Sequence, residues 1–269
     1  MSTAASPTVA SSFVTGLATQ LRVIHAVALR ETRTRFGAHQ LGYLWAILEP
    51  LFWIGTFWGL FALAGREAPN GMPIVAFLAT GVIPYEIAMK TADRCANAIS
   101  GNKSLLFYPQ VKTLDLVIAR GTLEGATYGA IFLIILGGEA LVTQHFVIDD
   151  VLLVCVGLGL GCLFGTSLGL VLCTLSVLSN SVERLRGPLF RPVFWMSGLF
   201  FTAESLPTNV RDFMLWNPVL HCVELVRDGW FASYHARHAS IAYVLACIVV
   251  LLFAGLTLER VVRAKVEVT

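Results

Sequence analysis

The chain has 269 residues, of which 56% are hydrophobic and 13% are charged, and its net charge is +2. Charged residues are about half as frequent as in an average soluble domain. The apolar residues form runs whose length is close to the roughly 20 residues of a helix that crosses a bilayer. This composition excludes a soluble globular protein and predicts an all-α membrane protein.

The amino-terminal residues predict a tail followed by an amphipathic helix. Residues 1–16 are rich in Ser, Thr and Ala and contain no basic residue, so they lack the charged start of a secretory signal peptide. We predict a disordered cytoplasmic tail over 1–16. Between Leu17 and Arg35 the apolar residues recur on one helical face and the arginines on the opposite face, which predicts a helix lying in the membrane interface.

Long apolar runs predict six transmembrane helices in a single domain over residues 17–269. The predicted spans are at about 41–64, 72–89, 114–143, 151–178, 188–203 and 241–258. The fifth is short and contains Pro188 and Pro192. Arg120 and Glu124 in the third are spaced to pair with each other.

The distribution of basic residues predicts the orientation of these spans. Six spans place both termini on one side, and most of the 19 Lys and Arg residues fall on that side. The opposite side receives only Arg66, Arg211, Arg227 and Arg237. Because basic residues concentrate in cytoplasmic loops, the termini and the loops around 90–113 and 179–191 are predicted to be cytoplasmic.

A row of glycines in the fourth predicted span indicates a packing face. Gly157, Gly161, Gly165 and Gly169 recur at every fourth position, so they lie on one side of a helix. Small residues at this spacing let another backbone approach closely.

The predicted cytoplasmic loop before the third span contains an unusual apolar segment. Its residues are Leu105, Leu106, Phe107, Tyr108, Pro109, Gln110, Val111 and Lys112. Apolar side chains in a cytoplasmic loop are expected to be shielded from water by other atoms. They either fold back onto their own helices or the lipid headgroups, or form a short helix that docks into a groove on a cytoplasmic partner.

Glu49 lies inside the first predicted span, next to Pro50. An unpaired acid at the bilayer centre costs about 3 kcal/mol, so we expect Glu49 to pair with a basic residue. The alternative is that Glu49 shapes a substrate path where Pro50 bends the helix.

Aromatic residues are frequent in the first and fifth predicted spans. The candidates for lining a conduit, besides Glu49, are Phe52, Phe57, Trp58, Phe61, Phe190, Phe194, Trp195 and Phe200. Aromatic ring faces can stack on sugar rings, although aromatic residues also serve as interface anchors and core residues.

The segment 205–230 predicts two short helices that meet at a turn. The turn is at Asn217-Pro218, and both helices are too short to span, which predicts a re-entrant lid on the external side. Glu224 and Arg227 are spaced to form a local brace. The candidate gate residues are Trp216, Asn217, Pro218, Glu224 and Arg227.

The sequence lacks motifs for enzymatic chemistry. It contains no GxxxxGK[ST], HExxH or GxSxG segment, so we expect no ATP hydrolysis by this chain alone and no catalytic residue. His235 and His238 are a weak metal signal, and no metal, cofactor or nucleic-acid partner is predicted. A transport role is the remaining expectation.

Four segments resemble the inner-membrane permeases of type-2 ABC exporters for capsular polysaccharide, the group 2 capsule export family. They are RTRFG at 33–37, LGYLWAILEP at 41–50, FYPQVK at 107–112 with Asp115 and Arg120, and Asn217-Pro218 with Glu224 and Arg227. The resemblance covers most of the chain. Family members often carry proline where this chain has Thr113.

The resemblance implies a bacterial inner-membrane complex of two permeases and two nucleotide-binding subunits, which would hold ATP and Mg²⁺. It implies that residues 105–112 are the coupling helix, that the first and fifth spans of both permeases line the conduit, and that the short external helices form a gate. The implied substrate is a lipid-linked, acidic polysaccharide, passed on to periplasmic adaptor and outer-membrane export proteins. Arg30, Arg33 and Arg35 would meet lipid headgroups or the incoming substrate, unless they only anchor the protein.

Three alternatives stay open at this point. The same architecture could export O-antigen, teichoic acid or a smaller lipid. A membrane glycosyltransferase or acyltransferase would need a polar catalytic constellation, which the sequence does not show. An ion-coupled secondary transporter is disfavoured by the scarcity of acids in the spans and by the lack of internal repeats.

Overall fold

A computed structural model describes residues 9–36, 41–108, 110–143, 148–179 and 181–266, and these ranges contain helices and turns but no strand. Pro109 and the side chain of Arg35 lie outside the described residues. The α-helices are α1 (Val9–Phe36), α2 (Leu41–Leu63), α3 (Ile74–Ala96), α4 (Thr113–Thr143), α5 (Val151–Leu178), α6 (Ser181–Met196), α7 (Thr208–Met214), α8 (Pro218–Trp230) and α9 (Ile241–Val266). Short 3-10 helices occur at Pro69–Gly71, Ser100–Leu105 and Ala203–Ser205.

Five of the described helices are long and apolar enough to cross a membrane, namely α2, α3, α4, α5 and α9. The predicted fifth span at 188–203 differs, because α6 begins at Ser181 and ends at Met196. Gly198 follows with a left-handed φ of 74°, a conformation that ends helices. The predicted count of six spans is therefore not confirmed by helix length and composition.

Helix α1 begins at Val9, so the predicted disordered tail is corrected over residues 9–16. Its buried Val27, with half-buried Ile24 and Ala28 beside it, packs against a cluster that includes Leu116 of α4. Leu21 on the same helix is exposed. One part of the apolar face predicted to lie in the membrane interface therefore packs into the protein core, and another part is exposed.

Helix α3 lies at the centre of the bundle, and most of its residues from Ala76 to Ala96 are buried. The glycine row of α5 packs against it. A Cβ added at Gly161 would lie 3.5 Å from the Pro84 carbonyl oxygen, and one at Gly169 would lie 2.9 Å from that of Ala92. The predicted close approach of another backbone is confirmed.

The neighbours of α5 also define the direction of α8. Gly157 lies against the backbone of Cys222, and the Asp150 amide at the start of α5 donates to the Gly229 carbonyl at 2.8 Å. Helix α8 thus begins beside the middle of α5 and ends beside its first turn. Of the two short helices predicted on either side of Asn217-Pro218, α8 therefore runs within the bundle.

Candidate conduit wall, gate and coupling surface

The apolar loop segment is divided between the core and the surface. Leu105, Leu106 and Val111 pack partly buried against the α1–α4 cluster. Phe107 and Tyr108 point outward and are 86% and 63% exposed. Packing onto the chain's own helices is therefore confirmed for Leu105, Leu106 and Val111, and docking of the exposed Phe107 and Tyr108 onto a partner stays a prediction.

The coupling helix predicted over 105–112 is corrected by the structure. The short helix is a 3-10 helix that ends at Leu105, and the described residues from Leu106 to Lys112 form turns. The amides of Leu106, Tyr108 and Val111 donate to carbonyls three residues earlier, at 3.2, 3.1 and 3.0 Å. Such bonds close tight turns in place of a continuing α-helix.

A cleft of about 930 Å³ lies next to this loop, between the carboxyl-terminal ends of α3, α5 and α9 and the start of α6. Its lining combines the exposed aromatic residues with charges of both signs, including Lys103, Phe107, Tyr108, Glu183 and Glu259. Such a lining suits an apolar side chain of a partner flanked by polar groups.

Charged residues join the loop to the surrounding helices. The Arg30 guanidinium of α1 donates to the Asn102 side-chain oxygen at 2.9 Å, and the Arg120 guanidinium of α4 lies 2.7 Å from the Glu31 carboxylate of α1. Arg120 also donates to the Arg94 carbonyl oxygen at 2.9 Å. These contacts tie α1, α3 and α4 to the loop, and we call this set of pairs the polar collar.

Two further pairs complete the polar collar. The Arg94 side chain lies 3.7 Å from the Glu124 carboxylate, and the Arg186 guanidinium of α6 lies 2.9 Å from Asp93 of α3. The sequence-predicted pair of Arg120 with Glu124 is therefore wrong, because each side chain has an opposite charge on another helix within reach.

The structure separates the arginine candidates at the amino-terminal helix. Arg30 is engaged with Asn102, whereas the side chain of Arg33 is exposed. Glu49 of α2 forms an ion pair with Lys90 of α3. This confirms the expectation that Glu49 pairs with a basic residue.

A continuous group of aromatic rings joins α2, α3 and α6. Phe57 and Phe200 have ring centroids 4.1 Å apart, and Phe194 lies 5.3 Å from Tyr85 and 5.8 Å from Trp53. Trp53 and Tyr85 are not among the residues predicted to line the conduit. Their spacing in the chain carries no signal that the two residues share one neighbour.

The remaining conduit candidates differ in exposure. Phe52, Trp58 and Trp195 are exposed, whereas Phe61 and Phe190 are half-buried. No residue of α6 is buried, and α2 buries only a narrow stripe that includes Ile54 and Phe57. Helices α2 and α6, which we call the α2–α6 wall, therefore both carry exposed aromatic rings.

A buried arginine holds together the candidate gate. Arg227 of α8 has no exposed surface, and its guanidinium donates to the Phe201 carbonyl oxygen at 2.8 Å and to that of Leu199 at 3.2 Å. The guanidinium also lies 4.1 Å above the Phe77 ring of α3 and 3.5 Å from Glu224. The predicted Glu224–Arg227 brace is confirmed.

Two other contacts fix the gate segment. The Asn217 side chain caps α8 by accepting from the Val219 amide at 3.0 Å and donates to the Ser197 hydroxyl oxygen at 2.9 Å. Pro218 is the first residue of α8, and Trp216 is exposed. The turn predicted at Asn217-Pro218 thus connects α8 to the end of α6.

The second oxygen of Glu224 accepts from the Tyr234 hydroxyl, after the end of α8. Burial raises the pKa of Tyr234 far above its usual value, and the nearby Glu224 carboxylate raises it further. Tyr234 therefore stays protonated and keeps donating to this carboxylate.

Comparison with known proteins places this architecture in a family. Residues 22–231 match the family model described as ABC-2 type transporter. The chain is 31% identical to the polysialic acid transport protein KpsM of Escherichia coli, over 91% of this chain and 95% of KpsM. The chain belongs to the ABC-2 type transporter family.

Two further relatives are capsule polysaccharide export inner-membrane proteins. Identity is 31% to CtrC of Neisseria meningitidis serogroup B, over 96% of this chain and 97% of CtrC. Identity to BexB of Haemophilus influenzae is 30%, over 93% of this chain and 94% of BexB. These matches confirm the predicted resemblance to the inner-membrane permeases of type-2 ABC exporters.

Proposed function

We propose that the protein is the permease subunit of an ATP-driven exporter that moves lipid-linked capsular polysaccharide across the bacterial inner membrane. The observation that carries this proposal is the match, over nearly full length, to three proteins named for polysialic acid transport or for capsule polysaccharide export. The open aromatic α2–α6 wall adds support, because ring faces can slide along sugar rings without binding one sugar tightly.

The membrane topology is proposed to have six crossings, with both termini in the cytoplasm. Helices α3, α5 and α9 all end at the cleft, where Ala96, Val177 and Val262 lie together. The chain between α5 and α9 must therefore return to the other end of the bundle. Helix α6, about 24 Å long by its rise, begins at the cleft and meets the start of α8 through the Ser197–Asn217 hydrogen bond, and α8 continues to the first turn of α5. In this proposal α6 and α8 together make the sixth crossing.

The proposed ATPase partner binds at the loop end of the bundle, which the excess of basic residues assigns to the cytoplasm. Phe107 and Tyr108 are the exposed anchors for its surface, and the cleft beside them receives its side chains. The partner carries ATP and Mg²⁺, because this sequence has no phosphate-binding loop.

Movement of the partner would reach the membrane helices through the polar collar. The loop residue Asn102 is bonded to α1, and the pairs at Glu31, Asp93 and Glu124 link α1, α3, α4 and α6. A push on the loop therefore acts on several helices together, including α6 of the conduit wall.

A second copy of the permease closes the conduit in this proposal. The open faces of α2 and α6 would face their counterparts across a shared axis, because a single α2–α6 wall encloses no path by itself. Helix α8 and the turn after α6, held by Arg227, form the external gate. Beyond it, periplasmic adaptor and outer-membrane export proteins would receive the polymer.

The same architecture could carry O-antigen, teichoic acid or another lipid-linked glycan, but the names of CtrC and BexB favour capsule polysaccharide. The test is deletion of the gene in its host, followed by restoration, with the surface polysaccharide located by fractionation. Full-length lipid-linked polymer should accumulate inside the deleted strain and reach the surface after restoration. Polymer that still reaches the surface without the gene would refute the capsule assignment.

A further inference from the structure

Helix α6 presents a basic stripe away from the rest of the protein. Arg184, Pro188, Arg191 and Trp195 follow one another at intervals of four, three and four residues, so they share one helical face. All four are exposed. We call this set the α6 stripe.

The opposite face of α6 makes the contacts with the bundle. Arg186 pairs with Asp93, the Phe190 carbonyl oxygen lies 3.5 Å from the Tyr85 hydroxyl, and Val193 packs against a cluster that includes Leu160. The α6 stripe therefore faces whatever lies outside a single chain.

The depth of Arg191 makes lipid an unfavourable surrounding for its charge. The adjacent Phe190 carbonyl oxygen lies 3.5 Å from the Tyr85 hydroxyl in the middle of α3, and Phe194, about one turn further along α6, contacts Trp53 and Phe57 in the middle of α2. Both helices are candidate membrane spans. A cationic side chain at this depth is unfavourable in hydrocarbon and faces water or a polar path.

Nothing acidic neutralises this stripe in the described part of the chain. Neither Arg184 nor Arg191 forms an ion pair or a hydrogen bond there, and the acidic neighbour Glu183 points towards the cleft beside the loop. The Cα atoms of Arg184 and Arg191 are separated by about 10 Å along the helix axis, from the rise of 1.5 Å per residue. The two positive charges lie one after the other along α6, between the loop end of the helix and the exposed ring of Trp195.

We propose that the α6 stripe lines an aqueous path and that Arg191 contacts the negatively charged groups, carboxylates or phosphates, of an anionic polysaccharide passing along it. This inference rests on the proposed function and adds to it a residue, Arg191, that selects for the acidic cargo. Guanidinium suits this task because it binds carboxylate and phosphate alike through parallel hydrogen bonds. Trp195, one turn further, offers a ring face to the neighbouring sugar.

The test uses a cysteine at the end of the stripe in full-length permease, inserted in membrane vesicles together with its ATPase subunit. In Trp195→Cys we measure labelling by two membrane-impermeant methanethiosulfonates, one a sulfonate anion and one a trimethylammonium cation. The parent chain, with its six cysteines, provides the background. Val193→Cys on the packed face provides a reporter that should not react.

The expected result is faster labelling by the anionic reagent, with a rate ratio that depends on Arg191. Adding Arg191→Gln should slow labelling by the anionic reagent and speed labelling by the cationic reagent, by roughly threefold each. This is the effect expected from removing one charge about 6 Å away in water. Arg191→Lys should keep the ratio, and Arg260→Gln on α9 should leave it unchanged. An introduced thiol that does not react in Trp195→Cys, or a ratio independent of Arg191, overturns the proposal.

Protection from labelling tests the occupant. A sialic acid oligomer should slow labelling of the Trp195→Cys variant at least about threefold, by one charge contact in water, and should lose this effect when Arg191→Gln is added. A neutral dextran of equal length should protect less, and equal protection by both would overturn the anionic assignment. Since these readouts need no export, a failure of the deletion experiment alone would refute the capsule assignment and leave the anionic path standing.

Discussion

Replacing Arg227 by methionine tests whether the buried guanidinium holds the gate segment to the bundle. The change removes the donor to the carbonyl oxygens of Leu199 and Phe201 and leaves the Glu224 carboxylate buried without its cation. Breaking a buried, hydrogen-bonded ion pair from one side costs about 3–5 kcal/mol. For a chain of this size that lowers the melting temperature by on the order of 10 °C.

The assay is thermal denaturation of the purified permease in detergent, with Arg237→Met as the matched control. Arg237 is exposed in the loop after α8, so its replacement should shift the transition by no more than about 2 °C. The double variant Glu224→Gln with Arg227→Met should recover part of the loss, because it leaves no unpaired buried charge. If the Arg227→Met and Arg237→Met variants have the same melting temperature, the guanidinium does not hold the gate and the reasoning is refuted.

Three further changes test the coupling surface, the glycine row and the conduit wall. Phe107→Glu should leave the permease inserted and stable but reduce co-purification of the ATPase subunit at least about tenfold, because it replaces an exposed aromatic anchor. Gly165→Ala should destabilise the permease by about 1–3 kcal/mol in thermal denaturation, whereas Gly159→Ala on the same helix meets no atom within 4 Å. Trp195→Ala should slow export about fivefold without loss of stability, whereas Phe194→Ala should also reduce stability because its ring contacts several others.

Each of these predictions has an outcome that would contradict it. Leu106→Glu should reduce stability as well as partner binding, since Leu106 packs against the core, so equal behaviour of Leu106→Glu and Phe107→Glu would remove the distinction between their roles. Equal melting of the two glycine variants would mean that α3 can move away from α5. Normal export by the Trp195→Ala variant would show that this ring only packs.

The open α2–α6 wall and the α6 stripe make related but separable claims about the conduit. Loss of export with Trp195→Ala reports on the aromatic surface. The labelling ratio with Arg191→Gln reports on charge alone. An exporter of a neutral glycan would keep the first effect and lose the second, so the two measurements together define the class of cargo.

Local patterns in the sequence were enough to predict most helices and one packing face. Apolar runs near bilayer length predicted α2, α3, α4, α5 and α9, because a helix in lipid must satisfy its own backbone and display apolar side chains. The glycine row of α5 and the turn at Asn217-Pro218 also depend only on neighbours along the chain, and the structure has both. The four motif segments were also enough to predict the family.

Only the tertiary structure decided which distant residues meet. Arg120 pairs with Glu31 on α1 in preference to Glu124 one turn away, and Arg227 reaches carbonyl groups beyond the end of α6. The loop segment likewise divides into packed Leu106 and exposed Phe107, although the two are adjacent and both apolar. A sequence pattern specifies the period of a helix, but the choice of partner for a charge or a ring depends on which helices become neighbours when the bundle packs.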